Sequence, residues 1–302
     1  MKEKHYIVLD TETISVNNCL CYNLGYKILN DKGEAVVDRD FVIEQVWHNR
    51  ELFKSAYYAD KRPLYVSAMR GKKAQLKKWG QAMRVLSKDI KDYNVQAIWA
   101  FNCNFDMKVI DYNCEHFGTI NPTENIPFLD IRAWACKVIL HDNDNPMRYC
   151  KYELFCDNNR AVKSKNGEPK FYTASGNLST TAESFYCFLT DNSEFDEAHT
   201  ALKDCLIEAA ILDYCALQLG LHLEDMCDLD NQPTVKRSYT DHLAPGKKLV
   251  VKDGQKNIIF EFNGNFTVRN TKNGVSITIA DDGQKKEESE LVKLLDKYAR
   301  KC

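Results

Sequence analysis

The sequence predicts an α/β protein, with a mixed sheet flanked by helices over about the first 220 residues and a small β-rich module after it. Three observations lead to this reading. The first 47 residues look like an antiparallel strand meander. Residues 95–140 alternate strand with helix, and beyond residue 245 short apolar strands are separated by glycine-containing turns.

Tyr6, Ile7, Val8 and Leu9 form an unbroken apolar, β-favouring run, the pattern of a buried strand. "NLGYKILND" and "AVVDRDFVIEQVW" follow, joined by the turn Asp31-Lys32-Gly33, and carry the strand reading as far as Trp47. Leu76, Trp79, Met83, Leu86 and Ile90 recur at helical spacing, with Lys77, Arg84, Lys88 and Lys91 on another face that is expected to be solvated. "VQAIWAF" (95–101) is a strand, a helix runs through Met107 to Phe117, and "IPFLDIRAWACKVIL" begins as strand and turns helical. The polar segment 141–176 mixes Asn, Asp, Lys and Gly with Tyr149, Tyr152, Phe155, Phe171 and Tyr172, and reads as an inserted, hairpin-like excursion. Helices are expected around Thr180–Leu189 and from about Ala198 to Leu219, the second burying Leu202, Cys205, Ala209, Leu212, Ala216 and Leu219. "KKLVV", "NIIFEF", "FTVRN" and "GVSITIA" are short strands, and a charged helix over Glu287–Lys301 closes the chain. The expected domains are 1–222 and 223–302.

The net charge of −2 over 302 residues gives no global polyelectrolyte signal. Residues 233–302 hold 14 Lys/Arg against 9 Asp/Glu, leaving 27 against 34 for the rest, so the tail is the basic part. The 12 cysteines form no CxxC pair and read as reduced thiols rather than a disulfide frame or a zinc site. "MKEKHY" leads directly into the first strand without a cleavable leader, and no apolar run reaches a membrane span. A soluble, cytoplasmic protein is expected.

"HYIVLDTETIS" places Asp10 and Glu12 two apart, on one face, at the end of an apolar strand. "WAFNCNFDMKVI" ends another strand and sets Asp106 at the mouth of a helix. "AHTALKDCLIEAAIL" sets His199 near the start of a long helix and Asp204 about one and a half turns further. Carboxylates that converge in one cleft cannot all stay ionised unless cations neutralise them. Oxygen ligands favour Mg²⁺ or Mn²⁺, and two such ions clamp an in-line phosphoryl displacement, while a histidine near neutrality can take a proton from water. The pair His5–Asp10 has the same spacing as His199–Asp204, but on a strand an odd separation puts the two on opposite faces.

These residues resemble the DEDDh class of DnaQ-like 3′–5′ exonucleases. "IVLDTET" matches the first motif, "FNCNFD" the second and "HTALKD" the third, in the family's order, over roughly residues 5–220. The resemblance implies a ribonuclease H-like five-stranded mixed sheet in which three antiparallel strands precede two parallel ones. It implies Asp10, Glu12, Asp106 and Asp204 as ligands of two Mg²⁺ or Mn²⁺ ions and His199 as general base. Thr11, Thr13, Asn102 and Phe105 would serve the terminal nucleotide and its motif. The expected activity is release of nucleoside monophosphates from 3′ ends of single-stranded DNA. The alternatives are a short-RNA exonuclease, or a nucleic-acid-binding or polymerase-associated module that docks through the C-terminal part. Lys151, Arg160, Lys163 and Lys165, with Tyr149 and Tyr172, would suit single-strand binding, and a solvated hairpin suits them equally.

Overall fold

The structure, a computed structural model, describes residues 2–140 and 150–233, together with four backbone strands between 248 and 279. The chain divides into two units, Met1–Val235 and Lys236–Cys302.

In the first unit, β1 (His5–Thr13), β2 (Cys21–Asn30) and β3 (Ala35–Ile43) form the antiparallel meander, with Asp10 opposite Gly25 and Asn23 opposite Val42. The chain then turns into the short helices α1 (Glu44–Trp47), α2 (Arg50–Lys54) and α3 (Arg62–Arg70), the last preceded by a 3₁₀ turn at Ala59–Lys61. Strand is therefore not continued to Trp47. Val46 and Trp47, adjacent on α1, instead join Ile14, Tyr22, Phe53 and Tyr65 in a separate apolar group.

The short strand β4 (Gln75–Lys77) pairs with β3 and takes Leu76, which is 40% exposed, out of the expected helix. The helix starts one turn later as α4 (Trp79–Asp92), burying Trp79, Ala82, Met83 and Leu86. It is followed by β5 (Val95–Ala100), α5 (Asn104–His116), β6 (Phe128–Asp130) and α6 (Ile131–Ile139), with β5 parallel to β1 and β6 parallel to β5. The sheet order is β4-β3-β2-β1-β5-β6. This is the ribonuclease H-like arrangement, extended from five strands to six by β4.

Of the 141–176 excursion, residues 141–149, with Tyr149, lie outside the described residues. The rest opens with a helix, α7 (Lys151–Asn158), and only then forms tight antiparallel turns, with bridges Lys163–Pro169 and Tyr172–Leu178. Tyr152, Phe155, Phe171 and Tyr172 are buried, so these aromatic rings build core. α8 (Ala182–Leu189), α9 (Ala201–Leu219) and the short α10 (Leu223–Met226) complete the unit. Leu223 and Met226 are buried in the same core, so the first unit runs past residue 222.

α9 ends at Gly220, whose φ of 63° is the left-handed cap that favours glycine. Its buried face is broader than expected: Ala201, Asp204, Cys205, Ile207, Glu208, Ile211, Leu212 and Cys215 are buried, while Leu219 is 38% exposed. The cause is contact on two sides, with β1 and β2 below and α6 and α8 beside it.

Alternation along β1 splits the core. Tyr6 and Val8 face the side covered by α6, α8 and α9, whereas Ile7 and Leu9 face α4 and α5. Tyr6, Ile7, Val8 and Leu9 are all fully buried, each worth about 1.5–3 kcal/mol. β1 is thus a central strand whose end is enclosed.

The second unit is a four-stranded antiparallel sheet, β7 (Lys248–Asp253), β8 (Lys256–Phe262), β9 (Phe266–Asn270) and β10 (Val275–Ile279), in sequential order. The helix expected over Glu287–Lys301 lies outside the described residues. Among the described residues, Cys19, Cys21, Cys103, Cys114, Cys136, Cys156, Cys187, Cys205, Cys215 and Cys227 are free thiols. No described helix is long and apolar enough to cross a membrane.

Candidate active site

β1 delivers the first two acids. Continuing the alternation of Tyr6 and Val8, Asp10 and Glu12 point to the α9 side of the sheet. A bulge between Glu12 and Thr13 ends the regular pairing with β2, the local device by which a strand end re-aims its side chains. Thr11 points to the opposite side, where its hydroxyl donates to Asp106 Oδ1 at 2.7 Å. Asp106 lies in the first turn of α5 and is 2% exposed. The Thr11 hydroxyl is thereby committed to orienting an acid.

α9 delivers Asp204 and, immediately before it, His199. The helix can descend this far because β2 has Gly25 beneath it. A Cβ at Gly25 would lie 2.3 Å from the Leu202 backbone nitrogen and 2.5 Å from the Ala201 carbonyl carbon. Asn23, two residues away on β2, accepts the Ala201 N–H at 2.8 Å and fixes the start of the helix. One oxygen of Glu12, one nitrogen of His199 and one oxygen of Asp204 lie within 4.8 Å of one another.

The acids of the cluster act on one another through burial and like charge. Burial, then the charges of Glu208, Asp106, Glu12 and Asp204, push the Asp10 carboxyl well above the usual carboxylate range. Burial likewise raises Asp106 to about 7 and Glu12 to about 8, and burial followed by Glu197 and Glu12 raises Asp204 to about 10. Carboxyls so placed hold protons at neutral pH unless positive charge replaces them. Asp10 Oδ2, Asp204 Oδ1 and Glu208 Oε2 are buried with no hydrogen-bond partner. Buried oxygens without donors are costly, and an oxygen-rich set of this kind fits a hard divalent cation.

His199 is held from several sides. Its φ of 51° is left-handed, uncommon for a residue with a Cβ. The Tyr65 hydroxyl donates to its carbonyl at 3.3 Å, and the Tyr58 ring stacks on the imidazole at 4.1 Å with the planes 10° apart. Glu197 Oε2 lies 3.7 Å from Nδ1. Burial, then the Lys61 charge, lowers the imidazole pKa, so the ring is neutral at pH 7. The excursion braces this loop from behind. Buried Lys170 donates to the Phe195 carbonyl and pairs with Glu183 at 3.3 Å, and Glu183 accepts the Glu197 N–H at 3.2 Å.

The remaining expected residues are more dispersed. Thr13 is buried, and its hydroxyl donates to the Ser15 carbonyl at 3.2 Å. Asn102 is exposed at φ 65°, with its N–H on Asp130 at 2.9 Å. Phe105 is half-buried against the α4–α5 side of the core. His5, at the far end of β1, packs edge-on against Tyr93 and is not part of the cluster.

Sequence reasoning missed Glu208, Glu197 and Tyr58. Glu208 had a readable signal: it stands four residues after Asp204, hence on the same helix face, amid an apolar stripe. Tyr58 had none, because the contact depends on how the 44–70 segment folds back.

No protein-family model matches the sequence, and no curated protein matches it. Among solved structures the chain is similar to E. coli exonuclease I with a dT13 oligonucleotide, at 10% identity and a TM-score of 0.45. It is also similar to E. coli exonuclease I with a dA16 oligonucleotide, at 12% identity and a TM-score of 0.42. Both matches cover 88% of this chain and 55% of the other, so this chain spans about half their length. A product-bound exonuclease I shows 10% identity and a TM-score of 0.42, over 97% of this chain and 68% of that one. At these values the likeness assigns neither an activity nor a substrate to this chain.

Proposed function

We propose that this protein is a divalent-cation-dependent 3′–5′ exonuclease that removes nucleoside monophosphates from single-stranded DNA ends. The observation that carries the reading is the set of buried carboxylate oxygens left without donors beside a neutral histidine. Asp10, Glu12, Asp106 and Asp204 are the residues that would hold Mg²⁺ or Mn²⁺. When bound, the cations neutralise these acids and withdraw charge from the scissile phosphate and its leaving oxygen.

The chain's own residues do the rest. Thr11 fixes the Asp106 carboxyl, and the α9–Gly25 contact sets the depth of Asp204. Tyr58 and Glu197 orient the His199 ring, with Glu197 on the Nδ1 side, leaving Nε2 to accept a proton from the attacking water. The water oxygen bonds to phosphorus as the bond from phosphorus to the O3′ of the preceding nucleotide breaks. The new 3′ hydroxyl takes its proton from solvent, and a 5′-monophosphate leaves. Tyr57, 71% exposed and edge-on to Tyr58 at 4.8 Å, offers a base-stacking surface beside this centre, with Lys61 near the imidazole for a phosphate.

The test is a comparison of 5′-labelled single-stranded DNA, duplex DNA and short RNA, each with Mn²⁺. The expected result is a ladder shortening from the 3′ end, fastest on single-stranded DNA. Endonucleolytic fragments, or cleavage of none of the three, would count against the proposal, and faster cleavage of RNA would reassign the substrate.

A further inference from the structure

Glu208 belongs to none of the motifs and has no part in the reaction just described. We propose that Glu208 is a fifth carboxylate of the cation centre, supplying an oxygen to the ion that Asp10 holds. This rests on the reading of the cluster as a divalent-cation site.

A buried acid with a purely structural task normally finds donors. Asp89, on α4 of this protein, shows what that looks like. It is 4% exposed, and its oxygens accept from the Tyr26 hydroxyl at 2.8 Å and from Arg39 Nε at 2.9 Å. Glu208 is equally buried, at 4%, yet its Oε2 has no partner, and none of the ion pairs among the described residues includes it. Burial and then the charges of Asp106 and Glu197 raise its carboxyl well above the usual range, while a backbone hydrogen bond at Phe101 acts the other way.

Position explains the oxygen. One turn beyond Asp204 on α9, Glu208 shares the helix face that is pressed onto β1 and β2. After burial, Glu208 does most to raise the Asp10 carboxyl, ahead of Asp106, Glu12 and Asp204. Asp10 Oδ2, on the β1 face that α9 covers, is also buried and unpartnered. Two lone oxygens from two elements, with no donor at either, are the donor set of a shared hard cation.

The experiment is calorimetric titration of the whole protein with MnCl₂ at neutral pH, together with its melting temperature without added metal. Glu208→Gln and Glu208→Met are compared with the parent and with Asp213→Asn, which lies on the exposed side of α9. Both Glu208 variants are expected to bind Mn²⁺ about tenfold or more weakly. Their metal-free melting temperature should hold or rise, because a repelled carboxyl is gone, and Asp213→Asn should bind like the parent. If Glu208→Gln does not fold, Glu208→Met is read in the same way, since it fills the volume without a buried polar group. Parent-like Mn²⁺ affinity in Glu208→Gln overturns the inference, including the case in which only Glu208→Met is impaired, which marks a structural role. A parent that binds no Mn²⁺ overturns the cation reading itself, a separate and distinguishable outcome.

Discussion

His199 illustrates how a single residue is prepared for proton transfer. A left-handed backbone, a ring stacked on Tyr58 and a carboxylate near Nδ1 leave the imidazole little freedom. A backbone held in such a region costs about 1–3 kcal/mol and persists where surrounding contacts fix it. Because burial and Lys61 lower its pKa, the ring takes up a proton at lower pH than an ordinary imidazole does. A base must be neutral to act, so the acid limb of the rate profile should lie at lower pH than that of an ordinary imidazole. His199→Ala should lose about 10²–10⁴-fold in single-turnover rate and flatten that limb. His5→Ala, with the same spacing to an aspartate, should cleave like the parent. A parent-like rate in His199→Ala, measured across the acid limb, would show that the base lies elsewhere. Asp10, Glu12, Asp106 and Asp204 stood out as candidates in the sequence because each lies near the end of a strand or the start of a helix that the residue pattern marks. Glu208 was legible only from its spacing to Asp204, since it belongs to no motif, and Tyr58 lies in a segment without a period.

The elements meet where β2 has no side chain. Asp10 faces Gly25 across the β1–β2 ladder, and the first turn of α9 rests on that glycine. The helix is therefore placed by backbone contact, and Asp204 and Glu208 follow from it. Gly25→Ala must push α9 away, since the nearest atoms are backbone and have no rotamer to yield. The expected cost is about 1–3 kcal/mol of stability, as for other overpacked cores. Cleavage should fall further than stability alone explains, because two acids move. Equal stability and rate to the parent, by denaturant titration and single-turnover assay, would show that α9 has slack here. The meander and the strand–helix alternation were legible from period alone. The α1–α3 segment was not, because three helices of nine residues or fewer carry too few turns to display a stripe. β4 escaped for the same reason: at three residues it is shorter than any alternation.

At the scale of the whole fold, a well-packed core encloses acids that none of the ion pairs among the described residues includes: Asp10, Glu12, Asp106, Asp204 and Glu208. Asp106, raised to about 7, and Glu12, raised to about 8, bind protons more tightly folded than unfolded. Stability from such groups is fully present below the ordinary carboxylate range and is lost as pH rises through those values. The metal-free protein should therefore melt at a lower temperature at about pH 9 than at about pH 5, with Mn²⁺ restoring more at the higher pH. A melting temperature that is flat or rises over that range without metal would contradict the buried-charge account. Chelation of the nuclease reaction bears on the same point most directly. Purified protein is given 5′-labelled single-stranded DNA in Mn²⁺, then in EDTA, then with Mn²⁺ restored in excess, alongside Asp10→Asn. Shortening from the 3′ end should occur, stop and return in the parent, and be lost by orders of magnitude in Asp10→Asn; undiminished cleavage in EDTA, or by Asp10→Asn, would mean that the acids do not work through a cation.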